Sequence, residues 1–345
     1  MSWTAGASAF SLSCDDSGVH ALTVDGGPQS YTLDPDGTFT RGEECTLTVD
    51  ADSVRDTDGD DPPDTMGSDA TISFTTLGQE LKIREIQGVG HVSPHLGAIV
   101  SNVQGVVTAR RNNGFFIQDP QPDADEKTSE GLFVFTSSRP ADAIAVGKAV
   151  AVSGIVGEFR GAANALGLTQ IQGGPRVTVT GDGAAIAPTL LGDGGRVPPN
   201  RIIDNDSTGD VDFNPFFDPK QDGIDFYESV EGMLVRVNRP YAVGPTASFG
   251  EIPVVGDRGR RAGPVTARGG LIISPGDFNP ERMHLDDEVL RALSTPFPPM
   301  PLADVGDTIS DVQAVVDYSF GNFKLQVTSQ PTVVRDGGLQ KETTQ

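Results

Sequence analysis

Residues 103–138, VQGVVTARRNNGFFIQDPQPDADEKTSEGLFVFTSS, contain three apolar runs, Val103–Ala109, Gly114–Gln118 and Gly131–Phe135. Polar loops rich in Asn, Asp, Pro and Gly separate them, and a fourth run, VGKAVAVSGIVGEF at 146–159, follows. Short Val- and Phe-rich runs bounded by turn formers predict an antiparallel β-meander. Strands that double back around Gly-containing runs fit a small closed barrel.

The composition agrees with many short strands. The 345 residues include 42 Gly and 25 Pro with only 6% aromatics, which suits turns and opposes long helices. That length has room for two or three domains, each with its own core. No apolar run approaches the length of a membrane span, so no membrane partner is expected. Met1 is followed at once by SWTAGASAFSLSC, without a basic region leading into a continuous apolar stretch. The expectation is therefore that an exported parent carries its signal ahead of this segment.

The formal charge is −23, and residues 1–77 alone hold fifteen Asp and Glu against Arg41 and Arg55. Such a field repels a nucleic-acid backbone at long range, so the whole surface is not a nucleic-acid platform. Any contact with DNA or RNA has to come from a local basic patch.

The chain divides by pattern into five segments. Residues 1–77 carry AFSLSC, HALTV, YTLD, CTLTVDA and TISFTT, whose apolar–polar alternation predicts the half-buried strands of a sandwich. Residues 78–180 form a first barrel, closed by LGLTQIQGGPRVTVT. Residues 181–224 are dense in Gly, Pro, Asn and Asp and read as a connector, pinned by Phe213, Phe216 and Phe217. Residues 225–337 form a second barrel, and 338–345 a linker or tail.

The second barrel reads as a divergent repeat of the first. EGMLVRVNRPYAV stands for VQGVVTARR, GEIPVV for GFFIQD, and VGDTISDVQAVVDYSFGNFKLQV for VGKAVAVSGIVGEF and its successor. The best helix candidate is residues 286–293.

The string IQG–SP–GVVTA–GFFIQDP–TSEG–FVFT resembles the OB-like segment ahead of the catalytic domain in large secreted bacterial nucleases of the endonuclease/exonuclease/phosphatase class. DSVRDTDGDDPPDTMGSDATISFTT resembles the end of a bacterial Ig-like domain, whose members carry further strands before the position of Trp3. The resemblance implies an all-β chain, a partial Ig-like sandwich followed by two OB-like β-barrels. It also implies a non-catalytic accessory region of a secreted, extracellular nuclease that positions nucleic acid, DNA or RNA, or braces its partner, a metal-dependent phosphodiesterase domain expected to follow Gln345. The alternative is a structural, adhesive or carbohydrate-binding module of a large exported protein.

Candidate sites follow from residue chemistry. Arg110 and Arg111, beside Phe115 and Phe116, match the way an OB-fold grips a single strand, arginine on phosphate and ring on base. A second basic cluster holds Arg258, Arg260, Arg261 and Arg268. The competing reading is a strand whose alternation buries one ring, with arginines that offset nearby acids. Asp56, Asp58, Asp60, Asp61 and Asp64 crowd five carboxylates into nine residues, and the D-x-D-x-D start offers the alternating oxygens that calcium prefers, as a candidate structural site; the other reading is a solvated acidic turn, and Gly67 at the twelfth position excludes an EF-hand. Asp204, Asp206, Asp210 and Asp212 form a second acidic cluster of the same chemistry.

Two cysteines in one small β-unit, Cys14 and Cys45, predict a disulfide and an oxidising compartment, the other reading being two buried thiols. His91 and His95, near Asp119, Asp123 and Asp125, are read as ordinary histidines before a zinc site. GDFN at Gly276–Asn279 resembles a catalytic motif of the nuclease family. Its partner motifs, an FN-x-EN strand opening, a metal-binding Glu and a terminal SDH, are missing from the sequence, so no catalytic residue is assigned.

Overall fold

The computed structural model describes residues 3–28, 30–56, 65–163, 165–293 and 299–340. The protein is all-β, with helix confined to a few short segments among the described residues. It separates into two compact units, Met1–Gln79 with Ala98–Val100, and Glu80–Gly97 with Ser101–Gln345.

The first unit contains β1 (Trp3–Ala5), β2 (Phe10–Cys14), β3 (Gly18–His20), β4 (Leu22–Gly26), β5 (Tyr31–Pro35), β6 (Glu44–Val49), β7 (Val54–Asp56) and β8 (Ala70–Thr75). A four-stranded antiparallel sheet runs β3-β2-β6-β8, and β1-β7 and β4-β5 form two-stranded ribbons. Cys14 on β2 lies directly across from Cys45 on β6, Cα atoms 4.0 Å apart, and the two form the disulfide. With Leu12 they make a small core that Leu22, Phe39 and Leu47 pack against. β8 stays exposed along its length. Of the acidic loop, Asp56 ends β7, whereas Asp58, Asp60, Asp61 and Asp64 lie outside the described residues.

In the second unit α1 (Ile83–Gln87) precedes β9 (Ile99–Arg111), β10 (Gly114–Gln118), β11 (Gly131–Phe135), β12 (Lys148–Phe159) and β13 (Leu168–Asp182). These five strands close into a barrel in the order β9-β10-β11-β13-β12. β11 and β13 pair in parallel, and the remaining described pairs are antiparallel. Asn112 and Asn113 make the two-residue turn between β9 and β10. The long β12–β13 pair bends at a register shift between Ser153 and Ile155. There Gly154 leaves room that a β-carbon, 2.6 Å from Ile171 and 2.9 Å from the Gln172 carbonyl, would fill.

After the barrel come β14 (Thr189–Leu191), α2 (Gly223–Glu228), β15 (Leu234–Val237), β16 (Tyr241–Ala242), β17 (Ile252–Val255), β18 (Met283–Asp286), α3 (Glu288–Leu293), β19 (Thr308–Ile309), β20 (Val312–Ser319), β21 (Asn322–Val327) and β22 (Val333–Arg335). They form a nine-stranded sheet, β14-β15-β20-β21-β18-β17-β16-β19-β22. β15 and β16 are two halves of one run, interrupted where Arg239 takes φ 44°. β15 pairs with β20, and β16 with β17. Followed through that run, the pairing order is that of the first barrel, with the parallel pair β18–β21 in the place of β11–β13. β14, β19 and β22 are additions to that order. Val230, Val235, Val237, Ile252, Val254, Leu285, Ile309, Val316 and Leu325 sit in its core.

The stretch read as a connector differs from expectation. It contributes β14, paired in parallel with β15, and the start of α2. Of the three phenylalanines expected to pin it, Phe217 is buried, whereas Phe213 and Phe216 point to solvent.

Candidate functional site

Buried charged and polar side chains of the second unit concentrate in the seam where its two β-bodies meet. Ala109, Phe116, Phe133 and Leu168 from the barrel form one apolar cluster with Val289 and Val315 from the nine-stranded sheet. The Phe116 and Phe133 rings lie 4.8 Å apart in a tilted contact. Phe115, on the opposite face of β10, is also fully buried. β10 is therefore covered on both faces, and each of its five residues is buried.

Backbone and side-chain hydrogen bonds cross the same seam. The Leu234 N–H donates to Gln118 Oε1 (2.7 Å), Ser129 Oγ to the Glu231 carbonyl (2.5 Å), and the Thr169 N–H to Glu231 Oε1 (2.9 Å). Arg111, at the end of β9, reaches Asp317 Oδ1 at 3.1 Å and both oxygens of Glu288 at 2.6–2.7 Å. Its guanidinium also lies over the Phe133 ring, 5.2 Å from the centroid. Behind Asp317 the network continues through Gln326 to Asp286, then through Lys324 to Glu251. Asp317 and Gln326 are fully buried, so these partners replace lost hydration.

At the other end of the seam His91 faces α2. Its Nε2 lies 2.8 Å from Asp225 and its Nδ1 3.2 Å from Glu228. Both ring nitrogens meet carboxylates, so both carry hydrogen and the ring is an imidazolium. Burial alone lowers its pKa, but the bonds and charges of Asp225 and Glu228 outweigh that and push it up to about 10.

Glu158 accepts from the Ser93 N–H and Thr169 Oγ1, both at 2.8 Å. Burial, reinforced by the Glu228 charge, pushes it up to about 7 despite those donors. Burial also drives the Glu231 carboxyl well above the usual range, with the charges of Glu228 and Glu158 adding to it. The free oxygens Glu158 Oε2 and Glu231 Oε2 are buried without a hydrogen-bond partner. Chemically, this end of the seam holds protons in the interior.

A cleft of about 660 Å³ opens beside the seam, lined by residues 124–127, 195–197, 218–220 and Phe226. Two of its cations are engaged, while Lys220 stays exposed, 3.7 Å from Glu126. Arg196 bonds Ser229 and the Glu126 carbonyl, and Lys127 donates to the Phe217 carbonyl at 2.9 Å.

The residues proposed to grip nucleic acid are differently employed. Phe115 and Phe116 have no exposed surface and cannot stack on a base in this conformation. Arg110 donates to the carbonyls of Pro140 (2.6 Å) and Ala141 (3.2 Å), and Arg111 is held in the seam. Arg260 and Arg261 are exposed and both pair with Asp193, while Arg258 sits between them and β17 at φ 58°.

His91 is not brought to Asp119 or Asp123, which instead face Arg84. In GDFN, Asp277 and Asn279 are buried, and Asn279 Nδ2 donates to the Ile272 carbonyl at 3.2 Å. Asp204 and Asp206 come together with Asp222. Asp212 instead pairs with Arg160, and Asp210 caps the turn Val211–Phe213.

The seam's acids were missed in the sequence. Asp222, Asp225, Glu228 and Glu231 recur every third residue across the short α2 and the turn after it, a spacing that does not keep to one face of an α-helix and so gives no periodic signal. Residues 190–336 match a family described as a domain of unknown function (DUF8508). The matched span starts within β14 and ends just after β22, so it coincides with the nine-stranded sheet and includes the stretch read as a connector. No curated protein matches the chain.

Proposed function

We propose that this chain is a non-catalytic accessory region of a secreted nuclease, in which two OB-like barrels are clamped into one body that braces a metal-dependent phosphodiesterase domain. The observation that carries the reading is the use made of Arg111. In the nucleic-acid reading it holds phosphate, yet here it lies between Asp317 and Glu288 with little solvent exposure. Phe115 and Phe116 serve the same clamp as apolar filling. A body so joined suits the role of a rigid spacer better than that of a strand-gripping platform, and its charge of −23 favours bracing over positioning of DNA or RNA. The Cys14–Cys45 disulfide supports an extracellular setting. The resemblance in residues 103–138 supplies the nuclease.

The test is fluorescence anisotropy with labelled single- and double-stranded oligonucleotides at low salt, calcium present, alongside a plasmid-nicking assay with magnesium, manganese or calcium. Neither binding nor nicking is expected. Salt-dependent binding lost in an Arg260→Ala, Arg261→Ala variant would return the module to nucleic-acid positioning. Nicking lost in an Asp277→Ala, Asn279→Ala variant would make it an enzyme.

A further inference from the structure

We infer that Asp204, Asp206 and Asp222 form a calcium site at the junction of the 202–206 loop and α2. One carboxylate oxygen from each of the three lies within 4.8 Å of the others. Backbone bonds create this meeting: the Gly223 N–H donates to the Ile202 carbonyl (3.0 Å) and the Ile224 N–H to the Ile203 carbonyl (3.1 Å). The loop carrying Asp204 and Asp206 is thereby tied to the residue after Asp222.

Acidic loops are common, and three neighbouring carboxylates alone do not make a site. Asp222 is the independent observation. It is 1% exposed, and both of its carboxylate oxygens are buried without a hydrogen-bond partner. It stands at the N-cap of α2, where an aspartate ordinarily accepts a backbone N–H, yet it makes no capping bond. A buried, unpaired carboxylate facing two others is costly while ionised, and a bound cation relieves that cost without the carboxylate having to take up a proton.

The neighbouring acids have other partners. Asp225 accepts from His91 and from the Asp218 N–H (2.6 Å). Ser207 donates to Asp204, and Asn214 Nδ2 donates to Asp206 Oδ1 at 2.6 Å, which fixes both carboxylates while leaving lone pairs.

The donor set is all oxygen, as hard cations require, and it comes from D-x-D spacing with Gly209 at the sixth position. Pro215 at the twelfth position means that the loop is not an EF-hand, and Asp222 supplies the distant carboxylate in its place. Calcium fits better than magnesium, because it accepts irregular oxygen geometry whereas magnesium demands a near-ideal octahedron.

The experiment uses the whole chain, stripped with chelator and then titrated with calcium chloride, read by calorimetry and by thermal unfolding. Calcium is expected to bind and raise the melting temperature of the wild type. Asp222→Asn should melt at or above the wild type in chelator, because a buried charge is gone, and should lose the calcium-dependent shift of the second unit. Asp206→Asn should lose it too, and serves if Asp222→Asn does not fold by circular dichroism. An unchanged wild-type melting curve between chelator and millimolar calcium overturns the site. So does a wild-type calcium response in both variants, which would assign the ion elsewhere, the Asp56–Asp64 loop included.

Discussion

Gly131 of the barrel and Gly232, just ahead of β15 in the nine-stranded sheet, meet backbone to backbone: a β-carbon on Gly131 would stand 2.1 Å from the Gly232 carbonyl carbon. The conflict is steric at Gly131, and at Gly232 a φ of +71° adds to it. Around this contact lie Ser129, Glu231 and Thr169, which bond across the seam.

Gly131→Ala should therefore loosen the seam, because backbone atoms cannot turn aside as a side chain would. The expected cost is about 3 kcal/mol or more, in the upper range for overpacking. Urea denaturation followed by circular dichroism measures it, and an unchanged midpoint would mean that the two bodies separate freely.

Stability of the second unit should fall with rising pH. His91 is raised to about 10 in the folded state, against an ordinary 6.5, so its contribution is complete below 6.5 and lost as pH climbs through 10. Glu158, raised to about 7 from 4.5, acts in the same direction between those values, since the folded state holds its proton more tightly. Denaturation midpoints at a series of pH values should decline from pH 6.5 to 10. His91→Gln should flatten that decline, and an unaltered slope in the variant would remove His91 as its source.

Reducing the Cys14–Cys45 bond should destabilise the first unit without disturbing the second. The bond joins residues 31 apart, for which loop-closure entropy gives about 3–4 kcal/mol. Thiol labelling of unreduced, denatured protein should find no free thiol, and a Cys14→Ser, Cys45→Ser variant should lower only the transition assigned to residues 1–79. Two labelled thiols in protein from an oxidising compartment would contradict the pairing.

Much of this architecture was legible from the strand pattern. The runs at 103–109, 114–118, 131–135 and 146–159 are apolar, short and bounded by turn formers, and they become four of the five barrel strands. The paired cysteines were legible because both fall in one small unit.

The roles of Phe115 and Phe116 were not legible. Alternation assumes that a strand has one covered face, and the cover over Phe116 comes from Val289 and Val315, distant in sequence. Arg110 and Arg111 misled because a charge at a hairpin looks exposed until its partners are known, the Pro140 and Ala141 carbonyls for Arg110 and the sequence-distant Asp317 and Glu288 for Arg111. Asp222 carried no local signal, as its companions Asp204 and Asp206 belong to another loop.

Phe116→Ala should cost about 3–5 kcal/mol, as for a large aromatic removed from a packed core. Chemical denaturation checks it. A loss under about 1 kcal/mol, as expected for a surface ring, would contradict the seam.

The most direct measurement is the urea midpoint of Arg111→Ala. If Arg111 clamps the barrel to the nine-stranded sheet, its loss leaves Asp317 buried and uncompensated, and the second unit should lose about 3–5 kcal/mol. A midpoint equal to that of the wild type would show Arg111 to be a free surface cation and would contradict the clamp.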